Sequence, residues 1–546
     1  MENQINNSKM QVRLPLFLAL ALISGILLGA TMFGGGANMK KVISGYEKIR
    51  EILTYVERDY VDTVNTEDLI DYSIDKMLEK LDPHTAYIPA KKVALANTQL
   101  EGGFDGIGIE FNIFKDTIYV VTPLSGGPSE AVGLQSGDKI VEVDGKNVAG
   151  IGIDNLGVFK LLRGPKGTKV TLGIKRRNAE KLISFTIIRD KIPSYSVDAS
   201  YMIDDKTGYI KVSRFAENTY KEFREAMLKL NGKGMQRLIL DLRGNPGGYM
   251  DRAINMADEM IPGNPKIVYT DGKGYRYDSE AKAYITGLFE KGALIVLIDE
   301  GSASASEIVA GAIQDNDRGL IVGRRSFGKG LVQAPISLTD GSELRLTISR
   351  YYTPSGRSIQ KPYSPQDANK DYDKDLLERY KKGEFFNADS IKQNEKLKYK
   401  TAKGRTVYGG GGIMPDVFIP LDTTINLSYL NELYNENIIR EFSLNYYNDN
   451  KANLSKMTAS AYIANFEVDE ALLSQVLKMA DKAKIKYDEK RYQSAKRYIQ
   501  QHIKAWIARS VWGTDEFYTI WNQQDEIYEK ALQLFEKAAA LERGEF

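Results

Sequence analysis

The chain contains no cysteine. That excludes disulfides, thiolate zinc sites and a cysteine nucleophile. It does not settle the compartment, because an exported chain of 546 residues can rest on its hydrophobic core. Histidine is nearly absent, with only His84 and His502. A histidine-based triad would have to use one of them, and a two-histidine metal site would need both. Each lies in a stretch that reads as helix or helix end, far from any glycine-rich loop, so both are expected to be surface or structural residues. Proton transfer in a hydrolase of this composition is expected to run without imidazole. An excess of either charge is missing too. Lys plus Arg number 74 against 72 Asp plus Glu, a net charge of +2, with none of the basic footprint of a nucleic-acid binder. The remainder is ordinary globular material, 42% hydrophobic and 27% charged, enough for about three or four domains.

One long apolar run stands out. From Leu14 to Met39 there is no charge, and Leu14–Phe33 is almost wholly apolar. About twenty such residues span a bilayer as a helix. A cleaved signal peptide is the close alternative, but no A-x-A site comes after the run. Residues 1–39 are therefore expected to be a membrane anchor or signal. Lys40 and Lys41 rival Lys9 and Arg13, so the orientation is weakly marked.

Residues 40–97 read as an amphipathic helical segment, with Val42, Tyr46, Ile49, Leu53 and Val56 at three- and four-residue steps. A second such stretch, Leu69 to Leu81, stops at Asp82-Pro83. From 98 to 190 short β-like runs alternate with glycine, among them GIGIEF, TIYVV, KIVEVDG and KVTLGIKR. With two short helical pieces, these suit a small partly open barrel. From 208 to about 350 apolar strands alternate with helices, which indicates parallel β-α units, and a hairpin turns at Thr339-Asp340-Gly341. Residues 364–405 read as a polar inserted surface loop, and 423–546 as a helix-rich extension without a motif. The fold class is α+β and multidomain.

Four stretches can carry chemistry. In GSASASE (301–307) an apolar strand runs into Gly301 and a helix begins near Ser304. A hydroxyl there faces free backbone N–H groups at the positive end of a helix, which could also hold an oxyanion. The plainer alternative is that these serines cap the helix. In SFGKGLVQ (326–333) Lys329 stands between two glycines in an apolar neighbourhood. Lysine becomes a useful base only if burial lowers its pKa to about 7–8, and Gln333 could orient its amine. The alternative is an exposed loop lysine. Gly323–Lys329 also matches G-x-x-x-x-G-K of a phosphate-binding loop, but Gly330 stands where Ser or Thr must bind magnesium. The next segment, LVQAPISL, contains a proline and looks like a strand rather than the required helix. DLRGNPGG (241–248) is a glycine-rich turn that could present N–H groups, or merely let the chain turn. Finally, Gly106, Ile107, Gly108 and Ile109 form a glycine-flanked loop opening onto a strand, one way of capturing a peptide tail by strand addition.

Together these pieces resemble the carboxyl-terminal processing peptidases, or tail-specific proteases, over about residues 45–422. The resemblance rests on LDPHTAYIP (81–89), a PDZ-like module at 98–190, DLRGNPGG, GSASASEIVAGAIQD (301–315), SFGKGLVQ, YYTPSGRSIQ (351–360) and GGGGIMPD (409–416). It implies that Ser304 is the nucleophile, Lys329 the general base and Gln333 its partner. It places the oxyanion hole on the backbone amides of Ala305 and Gly248. It further implies a peptidase core at 191–422 of the crotonase and Clp-protease type, a PDZ module that binds substrate tails, and work outside the cytoplasm. Some members are switched by an arginine of the PDZ module, here Arg163. Helical N-terminal segments of that family often dimerise, so a homodimer is among the implied partners. The other partners expected are protein substrates with unstructured tails and the membrane, with no nucleic acid, nucleotide or cofactor. SGGPSEAVGL (125–134) departs from the more usual SPAEKAGL, which bears on carboxylate capture. A reading of a different class is a non-catalytic, membrane-tethered PDZ adaptor.

Overall fold

The computed structural model describes residues 36–363 and 368–545, apart from 99, 125, 177 and 178. The apolar run Leu14–Phe33 lies outside the described residues, and among those no helix is long and apolar enough to cross a membrane.

The chain divides after Leu78. The first unit holds α1 (Gly36–Asp59) and α2 (Thr66–Leu78), the latter opening on Glu67 and Asp68 as a helix N-terminus favours. Along α1 the expected apolar positions Tyr46 and Ile49 lie exposed.

The second unit begins with a departure from the expected helix. The chain makes a tight turn on Asp82, then the short strand β1 (Ala86–Ile88), and only then α3 (Ala90–Asn97). The small barrel comes next. It contains β2 (Gly103–Gly106), β3 (Ile109–Phe114), β4 (Thr117–Pro123), β5 (Lys139–Val143), α4 (Asn155–Leu162), β6 (Lys169–Lys175), β7 (Ile183–Ile188) and β8 (Asp190–Pro193). Its main sheet runs β3-β4-β5-β6-β7, and β2 pairs separately with β8. Alternating positions such as Ile118, Val120, Ile140, Leu172 and Ile174 are fully buried in its core. The strand β3 lies at the sheet edge.

The α/β part carries a six-stranded sheet in the order β9 (Val197–Met202), β10 (Thr207–Val212), β11 (Arg237–Asp241), β12 (Leu294–Ile298), β13 (Leu320–Gly323) and a last strand at Val417–Phe418. Every pairing but β9–β10 is parallel, so the strands are buried on both faces and read as continuous apolar runs. On one face pack α5 (Thr219–Gly232), α6 (Met250–Asp258) and α7 (Ala305–Asp315). Every residue of α7 is buried, the signature of a helix inside a core. A hairpin of β14 (Leu331–Ser337) and β15 (Glu343–Tyr352) belongs to a second, five-stranded sheet with Lys266–Gly272 and Ser279–Lys282, and β1 pairs onto β15.

The opposite face of the sheet is covered by the C-terminal extension. There α8 (Ile438–Leu454) and α9 (Glu489–Trp512) belong to a separate helical core. The helices α10 (Thr514–Trp521), α11 (Glu526–Leu532) and α12 (Phe535–Arg543) come after them, and residues of α11 and α12 pack on Tyr201, Tyr209, Ile239 and Leu297.

Residues 364–405 depart from the expected surface loop. The helix Ala368–Lys381 sets Tyr372 and Arg379, both buried, against the segment that carries Lys329. Arg379 donates to the carbonyls of Arg325 and Ser326 at 2.8 and 3.1 Å. Aromatic and basic residues spaced along a polar stretch escape a reading based on mean polarity.

Candidate active site

The strand β12 ends in Ile298, the chain turns through Gly301, and Ser304 occupies the N-cap of α7. An ordinary N-cap has extended backbone angles. Ser304 has φ 54° and ψ −112°, a conformation that side chains avoid and that concentrates where function demands it. Gly247 explains how the turn is accommodated. A Cβ at that glycine would lie 2.8 Å from the Ser304 Cβ and 3.0 Å from the Ala305 nitrogen, at φ +100°. The DLRGNPGG turn thus lies directly against the serine, and only glycine permits the approach.

Asn245 holds that turn. Its carbonyl accepts the Ala303 N–H and the Ser306 hydroxyl, each at 2.9 Å, and its side chain accepts the Gly247 N–H at 2.9 Å. Among the described residues the N–H groups of Gly248 and Ala305 donate to no protein acceptor, and both residues line one cavity of about 420 Å³ with Ser304, Lys329 and Gln333. The residues expected to form the reaction centre therefore converge on one space.

Lys329 enters from the loop between β13 and β14. Phe327 N–H donates to Ser302 at 3.0 Å, and Gly328 accepts the Lys361 N–H at 2.9 Å. The Lys329 ammonium donates to Gln333 Oε1 at 2.9 Å. A register irregularity between Val332 and Gln333 is the kind of feature that re-aims a side chain. Gln333 in turn donates to the carbonyl of His84. Burial holds the Lys329 ammonium below its ordinary range, against the opposing pull of Glu307 and Asp82.

Two residues that sequence reasoning missed tie the centre together. Glu307 is fully buried, and its carboxylate accepts four donors. One oxygen takes the N–H of Ser304 at 2.8 Å and of Lys329 at 2.9 Å. The other takes the Ser326 hydroxyl at 2.5 Å and the Gly328 N–H at 2.8 Å. Burial pushes this carboxyl up to about 7, opposed by those same donors. The hydroxyl of Tyr351, itself buried, lies 3.1 Å from the Ser304 carbonyl and 2.6 Å from that of Lys329. Ser304-x-x-Glu307 is a capping-box spacing and so was available as a sequence signal. Tyr351 opens YYTPSGRSIQ, one of the stretches behind the family resemblance, but no local pattern gave it a role.

His84 is not the remote residue expected. The pairing of β1 with β15 brings it beside Gln333. Asp82 sets the turn by accepting the N–H groups of His84 and Thr85 at 2.8 Å and the Thr347 hydroxyl at 3.0 Å. The imidazole bonds the Tyr372 hydroxyl at 2.8 Å. Burial first, and the Lys329 charge second, lower its pKa to about 3, so it stays neutral. Its backbone carbonyl, not its ring, meets the site. His502 lies in the C-terminal helical core, stacked 4.0 Å from Trp521.

Arg163 does not line this cavity. Its guanidinium lies 4.3 Å from the rings of both Phe104 and Phe159 and bonds Thr98 at 3.0 Å. It faces a second cavity of about 950 Å³ between α3 and α4; Glu101 lines both spaces. In the barrel, Gly106 ends β2, Gly108 takes φ +71°, and Ile109 opens β3. Ile107 is buried, and its carbonyl accepts the Ser129 N–H and hydroxyl at 3.1 and 2.5 Å. The phosphate-loop alternative fails on geometry, since Gly323 ends a strand and Leu331 begins another where a helix must open. Among the described residues no group of three or more His, Asp or Glu is arranged to hold a metal ion.

A strained hydroxyl at a helix N-terminus, two outward N–H groups and a desolvated amine are the parts needed for acyl transfer. Comparison with known proteins shows the family. Residues 206–369 match peptidase family S41 and residues 119–176 match the PDZ domain. Residues 429–513 match a family of unknown function (DUF8443). The carboxy-terminal-processing protease of Bartonella bacilliformis is 35% identical over 347 residues, which are 62% of this chain and 79% of that one. The carboxy-terminal processing protease CtpB of Bacillus subtilis is 35% identical over 321 residues, 58% and 65% of the two chains. A solved photosystem II D1 C-terminal processing protease shares 27% identity, with a TM-score of 0.35, over 69% of this chain and 86% of that one.

Proposed function

The chain belongs to peptidase family S41 as a serine-type carboxy-terminal processing protease, and from that premise we propose that Ser304 and Lys329 perform the cleavage. The neutral Lys329 amine takes the Ser304 proton as Oγ attacks the scissile carbonyl. The tetrahedral oxyanion sits against the N–H groups of Ala305 and Gly248, at the positive end of α7. Collapse breaks the C–N bond, and Lys329 returns the proton to the leaving amine. Water, deprotonated by the same lysine, then releases the acyl group and restores Ser304. Gln333 keeps the amine aimed into the cavity.

The observation that carries this reading is the convergence of Ser304, Lys329 and Gln333 with the Ala305 and Gly248 amides on one cavity. The substrate is a protein with an unstructured tail. The edge strand β3, entered through Gly106–Ile109, supplies the place where such a tail adds as a further strand. Gating by Arg163 is part of the proposal, supported by Glu101, which lines both its cavity and that of Ser304. An extracytoplasmic location, tethered by Leu14–Phe33 or reached through its cleavage, rests on that apolar run.

Cleavage of a denatured protein by wild type, Ser304→Ala and Lys329→Ala tests the mechanism. Both variants should lose activity by at least about a thousandfold. Full cleavage by either, with contaminating protease excluded, refutes it. A tail-binding chain that cuts nothing in wild-type form would instead be the non-catalytic adaptor.

A further inference from the structure

The C-terminal extension has no part in the chemistry, yet it holds a residue that belongs by sequence to the peptide-binding barrel. Phe114, the last residue of β3, is 3% exposed. It is buried in the core of the C-terminal helices rather than in the barrel's own core. Tyr119, across the β3–β4 turn, packs edge-on against it at 5.1 Å and joins the same helical core. Arg509 on α9 pairs with Glu110 on β3 at 2.6 Å. On α8, Asn448 presses on the barrel at Gly137, where a Cβ would lie 2.3 Å from its side-chain nitrogen.

The strand divides its residues between two jobs. Ile109, Phe111 and Ile113 pack toward the barrel core. Glu110 and Phe114 alternate with them and meet the extension, as the two-residue period of a strand requires. The strand's hydrogen-bonding edge is a third direction, taken by neither.

The other end of the extension grips the peptidase sheet. Asp515, on α10, accepts the Ser200 N–H at 2.7 Å and the Lys229 ammonium at 2.9 Å. Asp525, which caps α11, takes both Arg243 Nη1 contacts at 2.6 and 2.7 Å. The same guanidinium bonds Asp241, where the glycine-rich turn that ends in Gly248 begins.

We propose that residues 428–545, including the segment of the family of unknown function, form a positioning brace. It holds the outer face of β3 and the root of the Gly248 turn in one rigid piece, so that a tail paired on β3 is presented to Ser304. This deepens the proposed function, since it assumes tail capture at β3 and cleavage at Ser304. Glu110, Phe114 and Arg509 are positioning residues and touch no reacting atom.

The test compares the full-length chain with Glu110→Arg, Arg509→Glu, the double reversal, and Phe114→Ala. Each is assayed on a protein substrate with a free tail and on a short peptide too small to reach both β3 and Ser304. A half-exposed ion pair sets the scale, so each single reversal should lower kcat/KM on the tailed protein about fivefold. Phe114→Ala should lower it by at least about tenfold. Short-peptide kcat should stay within about twofold, and the double reversal should recover most of the loss. Equal loss on both substrates, no loss on either, or failure of the double reversal to recover would overturn the brace. Amide exchange without substrate separates this from failure of the protease reading itself. Phe114→Ala should speed exchange in 109–123 and leave 305–315 unchanged; unchanged exchange in 109–123 also overturns it.

Discussion

One carboxylate oxygen of Glu307 accepts the backbone N–H of Lys329 at 2.9 Å while also accepting that of Ser304 at 2.8 Å. Two chain segments more than twenty residues apart are thereby held at one atom. The consequence concerns geometry more than stability, because acyl transfer tolerates little misplacement of base and nucleophile.

We predict that Glu307→Gln lowers kcat by about a hundredfold with a much smaller change in KM. A carboxamide offers one acceptor oxygen, so it cannot take all four donors and leaves buried N–H groups unpaired, at about 1–3 kcal/mol. Steady-state kinetics and thermal melting measure the two effects. A variant with normal kcat but a lowered melting point would make Glu307 merely structural.

The pH profile should carry two protons on its acid limb. Lys329 must be neutral to act, and burial holds its ammonium below the ordinary lysine range, so activity rises with pH and levels before free lysine would titrate. Glu307, raised to about 7 by burial, accepts its four donors only when ionised, so its protonation adds a second loss below that pH. In wild type the limb of log kcat/KM should have a slope approaching two; in Glu307→Gln it should approach one. A slope of one in both would remove Glu307 from the profile.

Gly247→Ala should abolish most activity while leaving tail binding intact. The added methyl meets the Ser304 Cβ at 2.8 Å in a left-handed conformation, so the turn must move and carry the Gly248 amide with it. Loss of one oxyanion donor alone costs about a hundredfold or more in kcat. Calorimetric titration with a tail peptide should show unchanged affinity, and a variant of normal activity would separate this turn from the reaction.

Acid should loosen the C-terminal extension. Burial depresses the His502 pKa from 6.5 to about 4, so its contribution to stability is complete above pH 6.5 and is lost as pH falls toward 4. That gap amounts to at most about 3 kcal/mol. All three tryptophans, Trp506, Trp512 and Trp521, lie in this extension, so their fluorescence reports on it alone. Denaturant midpoints read by tryptophan should fall between pH 6.5 and 4 in wild type and fall less in His502→Phe. Equal pH dependence in both would contradict the assignment.

Much of this molecule is legible in its sequence, for identifiable reasons. The parallel strands Arg237–Asp241, Leu294–Ile298 and Leu320–Gly323 are continuous apolar runs because both their faces are covered. Ser304 and Lys329 stand out because glycines punctuate the chain beside them. Their partnership depended on family resemblance, since no local pattern joins positions brought together by tertiary packing. For the same reason His84 reads as remote until β1 pairs with β15, and Tyr372 reads as loop. Arg163 is a different case. The role that resemblance implies falls on a residue whose guanidinium rests between Phe104 and Phe159, outside the Ser304 cavity.

In the proposed reaction Ser304 is the acylated residue and Lys329 its base. The most direct measurement is intact-mass and peptide-mapping analysis of the full chain after treatment with a serine-directed acylating probe. A single adduct should map to the peptide carrying Ser304, disappear in Ser304→Ala, and form at least about a hundredfold more slowly in Lys329→Ala. Undiminished labelling of Ser304→Ala, or normal labelling kinetics without Lys329, would contradict it.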